Sequence, residues 1–260
     1  MLLRFAKLSF ISILLFILIP KESVLSWGFY GHKRINRMAV FTLPPEMVSF
    51  YKKHIEFITD HAVDPDKRRY SVEGEAPRHY IDIDHYGEHA FDSVPKFWKA
   101  AITKYSEDTL MAYGIVPWQI EKHYYKLLNA LKEKEHFIVT SNIDEHFLKA
   151  GFDENRIVGR AQYIESPIKM AWQTVYDSHM AVDSVLKFEA ALNNEFPKDQ
   201  KYAYENRGNV LMKVYSKEYT NRYDLLINGQ VERRMKQSII MVGSIWYTAW
   251  VNAGKPNLEK

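Results

Sequence analysis

Ser26-Trp27-Gly28-Phe29-Tyr30-Gly31-His32 marks the junction between a leader and a mature chain, and the rest of the sequence is read outward from it. Upstream, Arg4 and Lys7 give a positive start, Leu8 to Ile19 give a long apolar run, and Pro20 ends that run. Val24-Leu25-Ser26 then supplies the residues a signal peptidase cuts after. Residues 1–26 are therefore expected to be a signal peptide, and 27–260 the exported chain. Cleavage leaves Trp27 with a free α-amine, which with its own carbonyl can chelate a metal ion. His32 is a natural third donor to the same ion. The plain alternative makes Trp27 a packing anchor and His32 a surface histidine.

The chain has 260 residues, 47% hydrophobic and 26% charged, enough for one sizeable core or two small domains. Its formal charge is +3, but Arg4, Lys7 and Lys21 in the leader outweigh Glu22, so the mature chain is close to neutral. That balance argues against wrapping nucleic acid or binding anionic membranes avidly. With no cysteine, disulfides and thiolate metal sites are excluded; any metal must sit on His, carboxylate and backbone donors. After the leader no apolar run reaches transmembrane length, so no membrane anchor is expected. Nothing in the sequence points to a protein partner.

The pattern predicts an all-α fold, a single multi-helix domain. Ile35 to Leu43 reads as a short helix stopped by Pro44-Pro45. Met47, Phe50, Tyr51, Ile55 and Ile58 recur at helical spacing over Glu46 to Thr59. Further helices are expected over Pro95–Tyr105, Pro117–Lys134, Ile168–Asn193, Tyr204–Asn228 and Val231–Ala253, with Pro117 and Pro167 at first positions and Gly254 closing the last. That last helix carries Ile239, Val242, Ile245, Trp246, Ala249 and Trp250, and should run through the core.

Asp60 to Tyr86 differs from all of these. It is rich in Asp, His, Arg, Pro and Gly and reads as a long loop with a short turn of helix. It holds His61, Asp64, Asp66, His79, Asp82, Asp84 and His85, donors that suit Zn²⁺. Two ordinary readings compete: Asp64-Pro65-Asp66 as a turn, and Asp82 and Asp84 paired with Lys67, Arg68 or Arg69.

Together these residues resemble the zinc-dependent phospholipase C and S1/P1-type nuclease superfamily, in its bacterial phospholipase C-like branch. The resemblance rests on Trp27, Gly28 and His32 at the mature start and on Asp64 in His-Ala-Val-Asp-Pro-Asp. It rests also on His79 in Arg78-His79-Tyr80-Ile81-Asp82 and on the helical remainder, and covers the chain to about Pro117 and again from about Arg160 to Leu258. It implies metal ligands at Trp27, His32, Asp64 and His79, around a cluster of up to three zinc ions that cleaves a phosphodiester. Asp64, or a neighbouring carboxylate, would orient the attacking water, with Asp82 and Asp84 as candidates for holding His79 in one tautomer.

The chain departs from that family in its middle. The family draws its other ligands from a helix reading His-x-x-x-Asp-x-x-x-x-x-His and a second reading His-x-x-x-Asp/Glu, spacings that put several donors on one helical face. Between Pro117 and Arg160 the candidates His123, His136, Asp144 and His146 do not fit, and Glu135 to Asn155 reads as a shortened connection. His179 and Asp183, with Glu189 beyond, have the spacing in a later helix and could supply replacement donors; a local His179–Asp183 pair is the ordinary reading. His85 and His89 are also four apart, but Pro, Gly and Asp around them argue against a helix. Fewer than three zinc ions are therefore expected. The expected function is an exported, zinc-dependent phosphodiester hydrolase with an incomplete site, acting on phospholipid headgroups in preference to single-stranded nucleic acid. The alternative is a non-catalytic, metal-poor relative, a pseudoenzyme or binding module; lipid-surface binding through aromatic residues without hydrolysis is a third.

Overall fold

In the computed structural model, residues 28–133, 159–207 and 210–258 are described. The fold is all-α, with one short hairpin of strands. Helix α1 (Gly28–Val40) is followed by α2 (Pro45–Lys53), α3 (Ile55–His61) and the single turn α4 (Asp64–Arg68). Two 3₁₀ turns, Ala76–His79 and Ile83–Tyr86, lead into α5 (Ala90–Ser93), α6 (Trp98–Tyr105), α7 (Glu107–Tyr113) and α8 (Val116–Glu133). After the 134–158 stretch come α9 (Pro167–Met180), α10 (Val182–Glu195), strands β1 (Tyr202–Arg207) and β2 (Val210–Tyr215), α11 (Lys217–Ile227) and α12 (Gln230–Asn252). The expected leader, Trp27, and the candidates His136, Asp144 and His146 lie outside the described residues.

The last helix runs through the core as its composition requires. Met235, Ile239, Val242, Ile245, Trp246, Ala249 and Trp250 are buried in one cluster with Ile35, Ala39 and Val40 of α1 and Leu127 and Leu131 of α8. A second, smaller cluster joins Trp118 of α8 to Trp172 of α9, Ala101 of α6 and Leu110 of α7. At the α1–α12 crossing a Cβ on Gly243 would stand 2.0 Å from Thr42 Oγ1, so only hydrogen allows this approach. The 159–165 segment lies along α12, where Gln162 N–H donates to Ser244 Oγ and Ile164 N–H to Thr248 Oγ1, both at 2.9 Å, while Ala161 N–H donates to Thr42 O. No described helix is long and apolar enough to cross a membrane.

Three expected elements differ. The predicted Glu46–Thr59 helix is two helices divided at His54, and Ile168–Asn193 is two divided at Ala181. The predicted Tyr204–Asn228 helix is wrong in its first half, where β1 and β2 pair antiparallel with Tyr202 opposite Tyr215. A two-stranded hairpin is marginal alone. Here it is held by a stack of rings, Tyr202 on Tyr215 at 5.3 Å and Tyr215 on Tyr219 of α11 at 5.0 Å, with the Lys201 ammonium 5.1 Å from the Tyr219 ring.

Candidate metal centre

The site is assembled on the flank of α1. Lys33 reaches Asp60 at 2.7 Å and Arg37 reaches Glu56 at 2.8 Å, so α3 lies alongside α1. Buried Ala62 and Val63 then turn the chain into α4. That turn points Asp66 inward, where its Oδ2 lies 3.1 Å from His32 Nε2 and its Oδ1 3.6 Å from His79 Nδ1. All three side chains are buried.

His79 is fixed by the backbone around it. Ile115 N–H donates to Pro77 O at 2.7 Å, Val116 N–H to Tyr80 O at 3.1 Å, and Asp82 N–H to Tyr113 O at 2.7 Å, fastening residues 77–82 to the turn before α8. Gly114 makes this possible: its φ is +89° and a Cβ would stand 2.3 Å from Tyr80 O. Buried Glu75 completes the cluster, with its Oε1 3.8 Å from His79 Nε2. Glu75 also accepts from Arg78 at 2.6 Å and Arg68 at 3.4 Å. Burial pushes the Asp66 carboxyl up, but the His32 hydrogen bond and the positive charges of His32, His79 and Arg69 overcome it and hold the group below the usual aspartate range. Below Glu75, His123 of α8 meets Gln119 at 3.4 Å; burial, aided by Lys126, lowers its pKa to about 4, so it stays neutral.

The sequence-predicted residues are thus divided. His32 and His79 both face the Asp66 carboxylate. Asp64 does not join them: its carboxylate pairs with Lys67 at 2.9 Å on the outer side of α4, and Asp66 takes the inner place. Asp84 meets His179 at 3.5 Å, while His79 is flanked by Asp66 and Glu75. His179 and Asp183 lie in different helices, divided at Ala181, so they do not form the one-helix donor face that the spacing offers. His61 turns to Phe57 O at 2.9 Å, and His85 stacks on Tyr113. Asp66 and Glu75 are the residues that sequence spacing underrated.

Two imidazoles around a buried carboxylate are the donor types zinc takes. Among the described residues, however, no group of three His, Cys, Asp or Glu converges as a complete metal site. His32 and Asp66 stand at hydrogen-bond distance. The donors fit zinc in kind and, among the described residues, fall short in number. Comparison with family models, with curated proteins and with solved structures finds no match to this chain.

Proposed function

We propose that the chain is an exported phosphodiester hydrolase of the zinc-dependent kind, working with a partial metal centre on His32, Asp66 and His79 completed by Trp27. The observation that carries the reading is the buried Asp66 carboxylate lying between two imidazoles at 3.1 and 3.6 Å, one of them on His32, five residues after the expected start of the cleaved chain. Zinc bound there would lower the pKa of a bound water and polarise the phosphodiester. The protein's own part is positional. Asp66 orients the His32 imidazole and lies 3.6 Å from that of His79, Glu75 sets a carboxylate 3.8 Å from the second His79 nitrogen, and Arg68 and Arg78 neutralise Glu75. Phospholipid headgroups are the preferred substrate over single-stranded nucleic acid, because the mature chain is nearly neutral.

A second reading, a metal-poor non-catalytic relative, is favoured by one specific feature. His32 Nε2 is already engaged by Asp66 at 3.1 Å, and among the described residues no group of three donors is arranged to hold a metal ion.

The two are separated by producing the chain from Trp27, measuring zinc per molecule, and assaying a chromogenic phosphocholine ester and single-stranded DNA. Bound zinc with turnover lost in Asp66→Asn supports the first reading. A folded, zinc-free and inert protein establishes the second. Placing Met-Gly before Trp27 should weaken zinc uptake if the terminal amine is a ligand.

A further inference from the structure

The hairpin leaves the outer edge of β1 open. Among the described residues no third strand joins β1 and β2. Their register runs without a bulge from Tyr202–Tyr215 to Arg207–Val210, and neither strand holds a proline, so two devices that commonly blunt an edge are not used here.

The phase of the ladder decides which groups face outward. Ser216 N–H donates to Lys201 O at 2.9 Å, so residues 201, 203, 205 and 207 turn their backbone groups toward β2. Tyr202, Tyr204 and Asn206 turn theirs away from it. Tyr204, Glu205 and Asn206 are exposed, Tyr204 by 66%. Residues two apart share a face of the strand, so Tyr204 lies on the face of the Tyr219–Tyr215–Tyr202 stack, which ends at this edge.

A second copy of the chain fits the edge because β1 is complementary to itself in one antiparallel register. Outward groups must meet outward groups, so the two-fold axis falls on a residue. Centred on Glu205, the register sets two carboxylates opposite each other. Centred on Tyr204, it sets the cationic positions 201 and 207 opposite each other, and centred on Tyr202 it sets Glu205 opposite Asp199. Centred on Ala203, it sets Glu205 opposite Lys201 and Tyr202 opposite Tyr204, each twice by symmetry. The outward set of β2, Leu211, Lys213 and Tyr215, carries positive charge alone and has no such match.

We propose that two copies of this chain pair antiparallel through β1 about a two-fold axis at Ala203, joining their hairpins into one continuous sheet. Tyr202 and Tyr204 of one copy exchange backbone hydrogen bonds with Tyr204 and Tyr202 of the other, and the aromatic row carries on across the join. Ala203 sits where a non-hydrogen-bonded pair brings the two backbones closest, and its small side chain allows it. No residue of the metal centre takes part, so the pairing is independent of zinc and of hydrolysis.

The chain has no cysteine, so one introduced thiol reports the register. Ala203→Cys sets two thiols across the axis with Cα atoms about 4.5 Å apart, within disulfide range. Oxidising this variant of the chain produced from Trp27 should give a covalent dimer, whereas Glu205→Cys, which meets residue 201, should give little. Sedimentation of the unsubstituted chain from about 10 to about 500 µM should show a monomer–dimer equilibrium with Kd of about 0.1 mM, as suits a small interface. Tyr204→Pro removes an outward N–H and leaves the ladder to β2 intact, so it should abolish the dimer with an unchanged circular dichroism spectrum. Glu205→Lys, at an exposed position that keeps the fold, sets cations opposite Lys201 and should weaken the dimer at least severalfold. A chain monomeric throughout that range, a dimer undiminished in Tyr204→Pro and Glu205→Lys, or equal crosslinking at 203 and 205 overturns the proposal.

Discussion

Asp66 Oδ2 lies 3.1 Å from His32 Nε2, while the Asp64 carboxylate, two residues earlier, pairs with Lys67 on the outer side of the same helical turn. Replacing Asp66 leaves two buried imidazoles facing an amide, and breaking a buried charged pair of this sort costs about 2–4 kcal/mol. Asp64→Asn removes an exposed short-range pair and should change stability by less than about 0.5 kcal/mol. Urea denaturation of the two variants checks the difference. Zinc uptake should follow it, lost in Asp66→Asn and kept in Asp64→Asn.

His123 gives the protein an acid-sensitive component of stability. Its folded pKa, lowered to about 4 chiefly by burial, lies below the 6.5 of a free histidine. Between those values the unfolded chain binds the extra proton, so stability rises with pH across the window and is complete above it. As pH falls from neutral to about 4 the chain should lose on the order of 2–3 kcal/mol from this group. Denaturation midpoints at several pH values measure it, and His123→Gln should flatten that part of the profile.

The α1–α12 crossing tolerates no added carbon at Gly243. Thr42 Oγ1 cannot simply rotate away, because it donates to Ala39 O at 2.7 Å. Gly243→Ala should cost about 1–3 kcal/mol through overpacking. The double variant Thr42→Ala with Gly243→Ala should recover most of that loss in thermal melts.

The hairpin should loosen independently of the core. Tyr215→Ala removes the central ring of the Tyr202–Tyr215–Tyr219 stack. Amide exchange should then quicken across Tyr202–Arg207 and Val210–Tyr215, while amides of α12 keep their protection.

The long amphipathic helices were legible because burial follows periodicity: Trp118, Trp172, Trp246 and Trp250 are core residues, as their helical settings implied. The divisions at His54 and Ala181 were not, since neither position carries Gly or Pro. The hairpin had a signal that was overridden. Asn206-Arg207-Gly208-Asn209 is a turn sequence between β-prone runs, and apolar spacing over Tyr204–Asn228 was read as one helix instead. Choosing between Asp64 and Asp66 required knowing that their segment is helical. At 3.6 residues per turn, residues two apart point to nearly opposite sides, so one faces the core and the other solvent. His79 was found by its setting, but its neighbour Glu75 was not, because its position depends on a fold-back of the loop.

Glu75, braced by Arg68 and Arg78 beneath His79, ties the loop together through side-chain charges of its own. If zinc is held there as proposed, a chelator should strip it without melting the loop. For the same reason selection for a stable fold alone could keep His79, Glu75 and Asp66 in place, whatever chemistry the cluster does or does not perform.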